Sequence, residues 1–110
     1  GKMFDKKPGL IIDENGITDN TNGTSIGLIE WNDIAEIERL EIAFSKMLLI
    51  KTNKPEKYIQ RAPNGIARQA MKANYKSYGT PLSIIANSLK INFNELEKLI
   101  EEEWKKRQIV

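Results

Sequence analysis

Neither cysteine nor histidine occurs in these 110 residues. Without cysteine there is no disulfide framework, no thiolate metal site and no thiol nucleophile. Without histidine the chain lacks the side chain most often used as a general base near neutral pH and the commonest zinc ligand, which leaves the less usual carboxylate or lysine chemistry. The expectation is a protein that is not an enzyme and that takes no cofactor, no metal and no small-molecule substrate. No apolar run approaches the roughly 18 to 20 residues that a bilayer-crossing helix requires. Aromatic residues make up only 7% of the chain, so the place of the first tryptophan, Trp31, calls for a reason.

What is present fits one folded domain. The chain is 40% apolar and 29% charged, and its length supports one core but not two. The net charge of +2 hides an asymmetry. Residues 1–50 carry five Lys or Arg against nine Asp or Glu, a balance of −4, whereas residues 51–110 carry twelve against six, a balance of +6. Between residues 51 and 90 only Glu56 opposes eight basic residues. A local positive surface follows from that excess.

Residues 1–7 read as a basic leader. Gly1 has the look of a scar from tag removal, and Lys2, Lys6 and Lys7 suit a juxtamembrane segment, because basic residues flanking a membrane span favour the cytoplasmic side. Residues 8–110 are then a single domain. From Pro8 to Thr52 the chain reads as strands joined by tight turns: "LIID", a turn at Asn15 and Gly16, "ITD", a second turn at Asn22 and Gly23, then "SIGLIEW", "EIERLEIAF" and "MLLIKT". "SK", at Ser45 and Lys46, is taken as the turn between the last two strands, and the continuous apolar character of "MLLI" suits a strand covered on both faces. Five strands are thus expected by Thr52.

Helical signals begin after Asn53. Pro55 suits a first helical turn, Pro63 and Gly65 interrupt it, and "IARQAMKANYKSY" predicts a helix with Ile66, Ala70, Ala73 or Asn74, and Tyr78 on its inner side and Gly79 as its stop. "PLSIIA" predicts a sixth strand. The final helix has Asn92 as N-cap, Glu95 three residues later, Ile91 placed to staple onto Leu96, and Phe93, Leu96, Leu99 or Ile100, and Trp104 at helical spacing. Such a helix is a natural lid for a twisted meander. Trp31 then closes a corner at the end of the third strand, with Asn32 or Asp33 capping a one-turn connection and Ile34 turning inward. Ile37 belongs to the same corner. A structural role is favoured there over ligand stacking.

A strand ending in "GLIEW", then "NDI", then a strand beginning "EIE" resembles the bacterial pleckstrin-homology-like domains. From "KPGLIIDENGITDN" through "NYKSYGTPLSIIANSLKINFNELEKLI" the chain is similar to an uncharacterised bacterial family whose members carry two transmembrane helices ahead of such a domain. The resemblance implies an α+β, pleckstrin-homology-like fold: a strongly bent antiparallel sheet or half-open barrel, capped by a C-terminal helix, with an additional helix before the last strand. It also implies a place on the cytoplasmic side of the bacterial inner membrane, held by an anchor outside this sequence. The first hairpin departs from the phosphoinositide-binding pattern, since "DENGITDNTNG" is acidic where those domains are basic. No lipid-binding residue is carried over.

Among candidate sites, Arg68, Lys72 and Lys76 recur at i, i+4 and i+8, and Lys57 and Arg61 precede them at the same spacing. The two readings are an anionic-surface contact and an ordinary solvated face. Tyr58, Tyr75 and Tyr78 lie among these bases and suit helix anchoring better than nucleic-acid stacking. Residues 82–104 offer an alternative, a helix-turn-helix-type nucleic-acid reader. Lys90 stands where its turn favours glycine, and the last helix is acidic where it would face phosphates. The pairs Asp13 with Glu14 and Glu36 with Glu38 lack the spacing of a cation loop. The expectation is an interaction module that binds a protein partner, by strand pairing at an open sheet edge or otherwise, or the anionic membrane surface.

Overall fold

A computed structural model describes residues 4–6, 9–19, 26–85 and 92–108. Strands β1 (Phe4–Lys6), β2 (Leu10–Asp13), β3 (Gly16–Asp19) and β4 (Gly27–Glu30) form one antiparallel sheet in sequence order. A single 3-10 turn, Trp31–Asp33, leads into β5 (Ile34–Ile42), which pairs with β6 (Ser45–Thr52), and β6 pairs with β7 (Ser83–Ile85) in a second sheet. Helices α1 (Pro55–Ile59) and α2 (Gly65–Tyr78) fill the crossover between β6 and β7, and α3 (Phe93–Lys106) closes the chain. The architecture is α+β.

The first hairpin shows how local chemistry sets the register. The Asp13 carboxylate accepts hydrogen bonds from the amides of Asn15 and Gly16 at 2.9 and 3.3 Å, folding the turn back on itself. Gly16 then sits opposite Glu30 with φ +152°, and a Cβ there would lie 2.0 Å from the Ile29 carbonyl oxygen. Only glycine lets β3 and β4 approach this closely. The second asparagine–glycine turn, at Asn22 and Gly23, lies outside the described residues.

The core lies between the sheets and the helices. Leu10, Ile12 and Ile17 from the first sheet and Leu48, Ile50 and Ile84 from the second are fully buried. Leu96 and Ile100 of α3 and Met71 of α2 cover them, also at zero exposure. Each such side chain contributes about 1.5–3 kcal/mol of transfer free energy relative to an exposed one. Both longer helices are capped as their sequences require. The Asn64 and Asn92 side chains accept from the amides of Ala67 and Glu95 at 2.8 Å, and Gly79 ends α2 in the left-handed conformation at φ 82°. Ile91 lies outside the described residues.

Four expectations need correction. Strand pairing does not run continuously through the corner: among the described residues the ladder breaks at the 3-10 turn, giving two antiparallel sheets that do not close into a barrel. A further strand, β1, precedes the meander, its short segment pairing with Leu10–Ile12 without any marked apolar run of its own. The β5–β6 turn falls two residues early, at Ala43 and Phe44, because Ile42 pairs with Ser45 and Ala43 takes φ 54°. Finally, α2 turns Ala67 and Met71 inward and leaves Ile66 85% exposed. Small Ala67, one position further round the helix, takes the inner place that its bulkier neighbour was expected to hold.

Candidate functional site

The corner between the sheets is built around Asp33. This carboxylate is buried to 2% exposure, accepts from Lys57 Nζ at 2.7 Å and from the Tyr58 hydroxyl at 2.5 Å, and has Lys54 Nζ at 3.5 Å. The Tyr58 hydroxyl in turn accepts from the Glu30 amide at 3.1 Å, and the Asp33 carbonyl accepts from the Asn53 amide at 3.2 Å. One acid thus ties the 3-10 turn to the start of α1. Burial by itself would raise the Asp33 pKa, but hydrogen bonds from Lys57 and Tyr58, with the charges of Lys57 and Lys54, hold it below the ordinary carboxylate value of 3.8. Burial and the hydrogen bond to Asp33 push the Tyr58 hydroxyl upward, and the Asp33 hydrogen bond likewise raises Lys57.

Two tryptophans complete the corner. Trp31 is buried, and its indole nitrogen donates to the Asp13 carbonyl at 2.9 Å. Trp104 reaches from α3 to donate to the Ile34 carbonyl at 3.1 Å. Arg107 lies over the Trp31 ring, 4.9 Å from its centroid, and is held by the buried Glu103 at 3.0 Å. Ile34 and Ile37 turn inward. Asp33 makes no cap of its own turn, which has no side-chain cap hydrogen bond. A cleft of about 380 Å³ lies beside this corner, lined by Glu14, Asn15, Leu28, Glu30, Trp31, Asn32 and Arg107. With Trp31 only 3% exposed, its ring offers no open face to a ligand in that cleft.

The five cations singled out from the sequence separate into two groups. Lys57 bridges Asp33 and Glu30, the latter at 3.3 Å, and Arg61 donates to the Leu28 carbonyl at 2.7 Å while stacking over the Tyr58 ring at 4.9 Å. Both belong to the corner. Arg68, Lys72 and Lys76 all lie exposed on α2, and their side chains make no hydrogen bond or ion pair among the described residues. The 14 residues of α2 contain no Asp or Glu, and the exposed Ile66 and Tyr75 lie on the same helix. The other three-cornered charge cluster is satisfied: Arg39 pairs with Glu41 at 3.0 Å and Glu97 at 2.8 Å, also hydrogen-bonds Asn94, and stacks over Phe93.

The Asp33–Tyr58–Lys57 network was missed at the sequence level, where Tyr58 reads as a helix anchor with a wet hydroxyl. It is fully buried instead. The signal available was the lone acid after Trp31 together with a tyrosine beside a lysine in the next basic segment, but nothing in the spacing places them together. Among the described residues no group of three or more Asp or Glu is positioned to hold a metal, and Glu38 of the acidic pair Glu36 and Glu38 instead meets Lys51 at 3.2 Å. A helix-turn-helix over residues 82–104 would need a helix where Ser83–Ile85 pairs with β6 as a strand, the isoleucine pair following its β preference; residues 86–91 lie outside the described residues. No helix among the described residues is long and apolar enough to cross a membrane. Compared with known proteins, the chain has no significant match among protein-family models, curated proteins or solved structures.

Proposed function

We propose that this chain is a non-enzymatic interaction module of pleckstrin-homology-like fold, the cytoplasmic domain of a bacterial membrane-anchored protein, and that it lies against the anionic inner leaflet through the outward face of α2. Two antiparallel sheets meeting at a corner and a closing C-terminal helix support the fold reading. The observation that carries the functional reading is the free state of Arg68, Lys72 and Lys76 on an acid-free helix, while Lys57, Arg61 and Arg39 are engaged by partners. Desolvating or screening a paired cation offers a membrane little, whereas an unpaired one near an anionic surface contributes about 1 kcal/mol. Three together give about 3 kcal/mol, or roughly a hundredfold in partition.

That strength is weak for a free domain and ample for an anchored one. An anchor in the same chain raises the local concentration of the membrane surface, so the face needs only to orient the domain. The test is sedimentation of the 110-residue chain with vesicles of equimolar phosphatidylglycerol and phosphatidylcholine at low salt. Replacing Arg68, Lys72 and Lys76 together with Glu is expected to lower the bound fraction at least a hundredfold while the fold persists. Sedimentation unchanged by that reversal discards the role of this face and turns attention to a protein partner.

A further inference from the structure

The tip of the β5–β6 hairpin carries the most exposed large apolar side chain among the described residues. Phe44 is 102% exposed and Ile42 49%, and every residue from 41 to 46 is exposed. A phenylalanine in that position adds nothing to the core. The turn beneath it is strained as well: Ile42 pairs with Ser45, leaving a two-residue loop whose first member, Ala43, takes φ 54° where glycine or asparagine is the low-energy choice. Alanine here forgoes stability and keeps three successive tip residues apolar.

Charge and area together indicate what the tip meets. Glu41 is held by Arg39 at 3.0 Å, a cation it shares with Glu97, whereas Lys46 makes no ion pair among the described residues, so an unpaired cation stands behind the apolar tip. Phe44 offers roughly 150–250 Å² and Ile42 part of its own surface, far short of the roughly 1,200 Å² that a stable protein interface buries. A second copy of the chain gains too little from so narrow a contact. A bilayer needs no complementary shape, and its headgroup boundary accommodates an aromatic ring with a basic group above it.

We infer that Ile42, Ala43 and Phe44 form a wedge that enters the acyl boundary of an anionic bilayer, with Lys46 at the level of the headgroup phosphates. This rests on the membrane-surface reading and deepens it with an apolar contact at the hairpin tip. The experiment uses the same equimolar phosphatidylglycerol and phosphatidylcholine vesicles with two variants. Phe44→Ser, at a fully exposed position, leaves the fold intact and is expected to lower partition about tenfold, matching the transfer of one aromatic side chain. Phe44→Trp is expected to show fluorescence quenching by lipids brominated near the headgroup end of their chains, above any quenching of the native Trp31 and Trp104. Unchanged partition of Phe44→Ser, or a Phe44→Trp signal no more quenched than the parent, overturns the wedge. If reversal of the α2 cations abolishes binding while Phe44→Ser does not, the wedge fails and the surface reading stands. The opposite pattern removes the α2 face and leaves the wedge, and no binding by the parent chain removes both.

Discussion

Lys57 and Arg61 stand four residues apart, as do Arg68 and Lys72, and Lys72 and Lys76, yet the two groups have different surroundings. At the corner the cations close on a buried acid, a backbone carbonyl and the ring of Tyr58. On α2 they are exposed, and their side chains make no hydrogen bond or ion pair among the described residues. The corner charges are fixed by geometry and contribute to folding, because removing one partner leaves a buried polar group unsatisfied. The α2 charges contribute almost nothing to folding and are available to an outside surface. Equal spacing in sequence therefore says little about function until the elements are known: Arg61 lies just past the end of α1, and Ala62, Pro63 and the N-cap Asn64 separate it from α2.

The contrast can be broken from either side. The largest expected effect is at Gly16, opposite Glu30 at the edge of the corner. Gly16→Ala places a methyl group 2.0 Å from the Ile29 carbonyl oxygen, and rearrangement of the β3–β4 pairing is expected to cost about 3 kcal/mol or more in chemical denaturation. A variant as stable as the parent contradicts the tight approach of these strands. Next comes Asp33→Asn, which removes the charge that Lys57, Tyr58 and Lys54 surround and is expected to cost about 2 kcal/mol near neutral pH.

The same substitution alters the dependence on pH. The folded Asp33 pKa lies below its ordinary value of 3.8, so the unfolded chain binds the proton more tightly. Its stabilisation is fully present above that value and is lost as the pH falls through 3.8 toward the folded pKa. Denaturation midpoints of the parent should fall over this acid range more steeply than those of Asp33→Asn; identical slopes count against a stabilising ion pair at Asp33. Glu103, lowered chiefly by its hydrogen bond from Lys106, adds an acid-sensitive contribution common to both proteins.

The smallest expected effect belongs to α2. Replacing Arg68, Lys72 and Lys76 together with Gln should change stability by no more than about 0.5 kcal/mol, with a slight gain from removing like charges at i, i+4. A loss comparable to that of Asp33→Asn shows that these cations have structural partners after all, and the distinction between the two regions disappears.

Much of the fold was legible because its signals are local. Asn92 sits in a cap position, Gly79 stops a helix, and Asn15 with Gly16 marks the first hairpin turn. Trp31 at the end of β4 was legible in the same way. What stayed hidden depends on contacts distant in sequence: the Tyr58 hydroxyl meets an acid 25 residues away, and Trp104 reaches a carbonyl 70 residues away. The exposed tip was hidden for another reason. Ala43 has no preference for positive φ, so alternation carried the strand through Phe44 and moved the turn to Ser45 and Lys46. Of the candidate cations, the outward placement of Arg68, Lys72 and Lys76 followed from helical spacing, whereas the capture of Lys57 and Arg61 required the corner to be assembled.

Site-resolved contact with a bilayer tests the central distinction most directly. Amide signals of the chain would be recorded in the presence of nanodiscs containing phosphatidylglycerol, with and without a spin label on the lipid headgroup. Broadening centred on Arg68, Lys72, Tyr75 and Lys76, with Lys57, Tyr58 and Arg61 spared, is the expected result. Broadening centred on the corner residues, or none on α2, contradicts it.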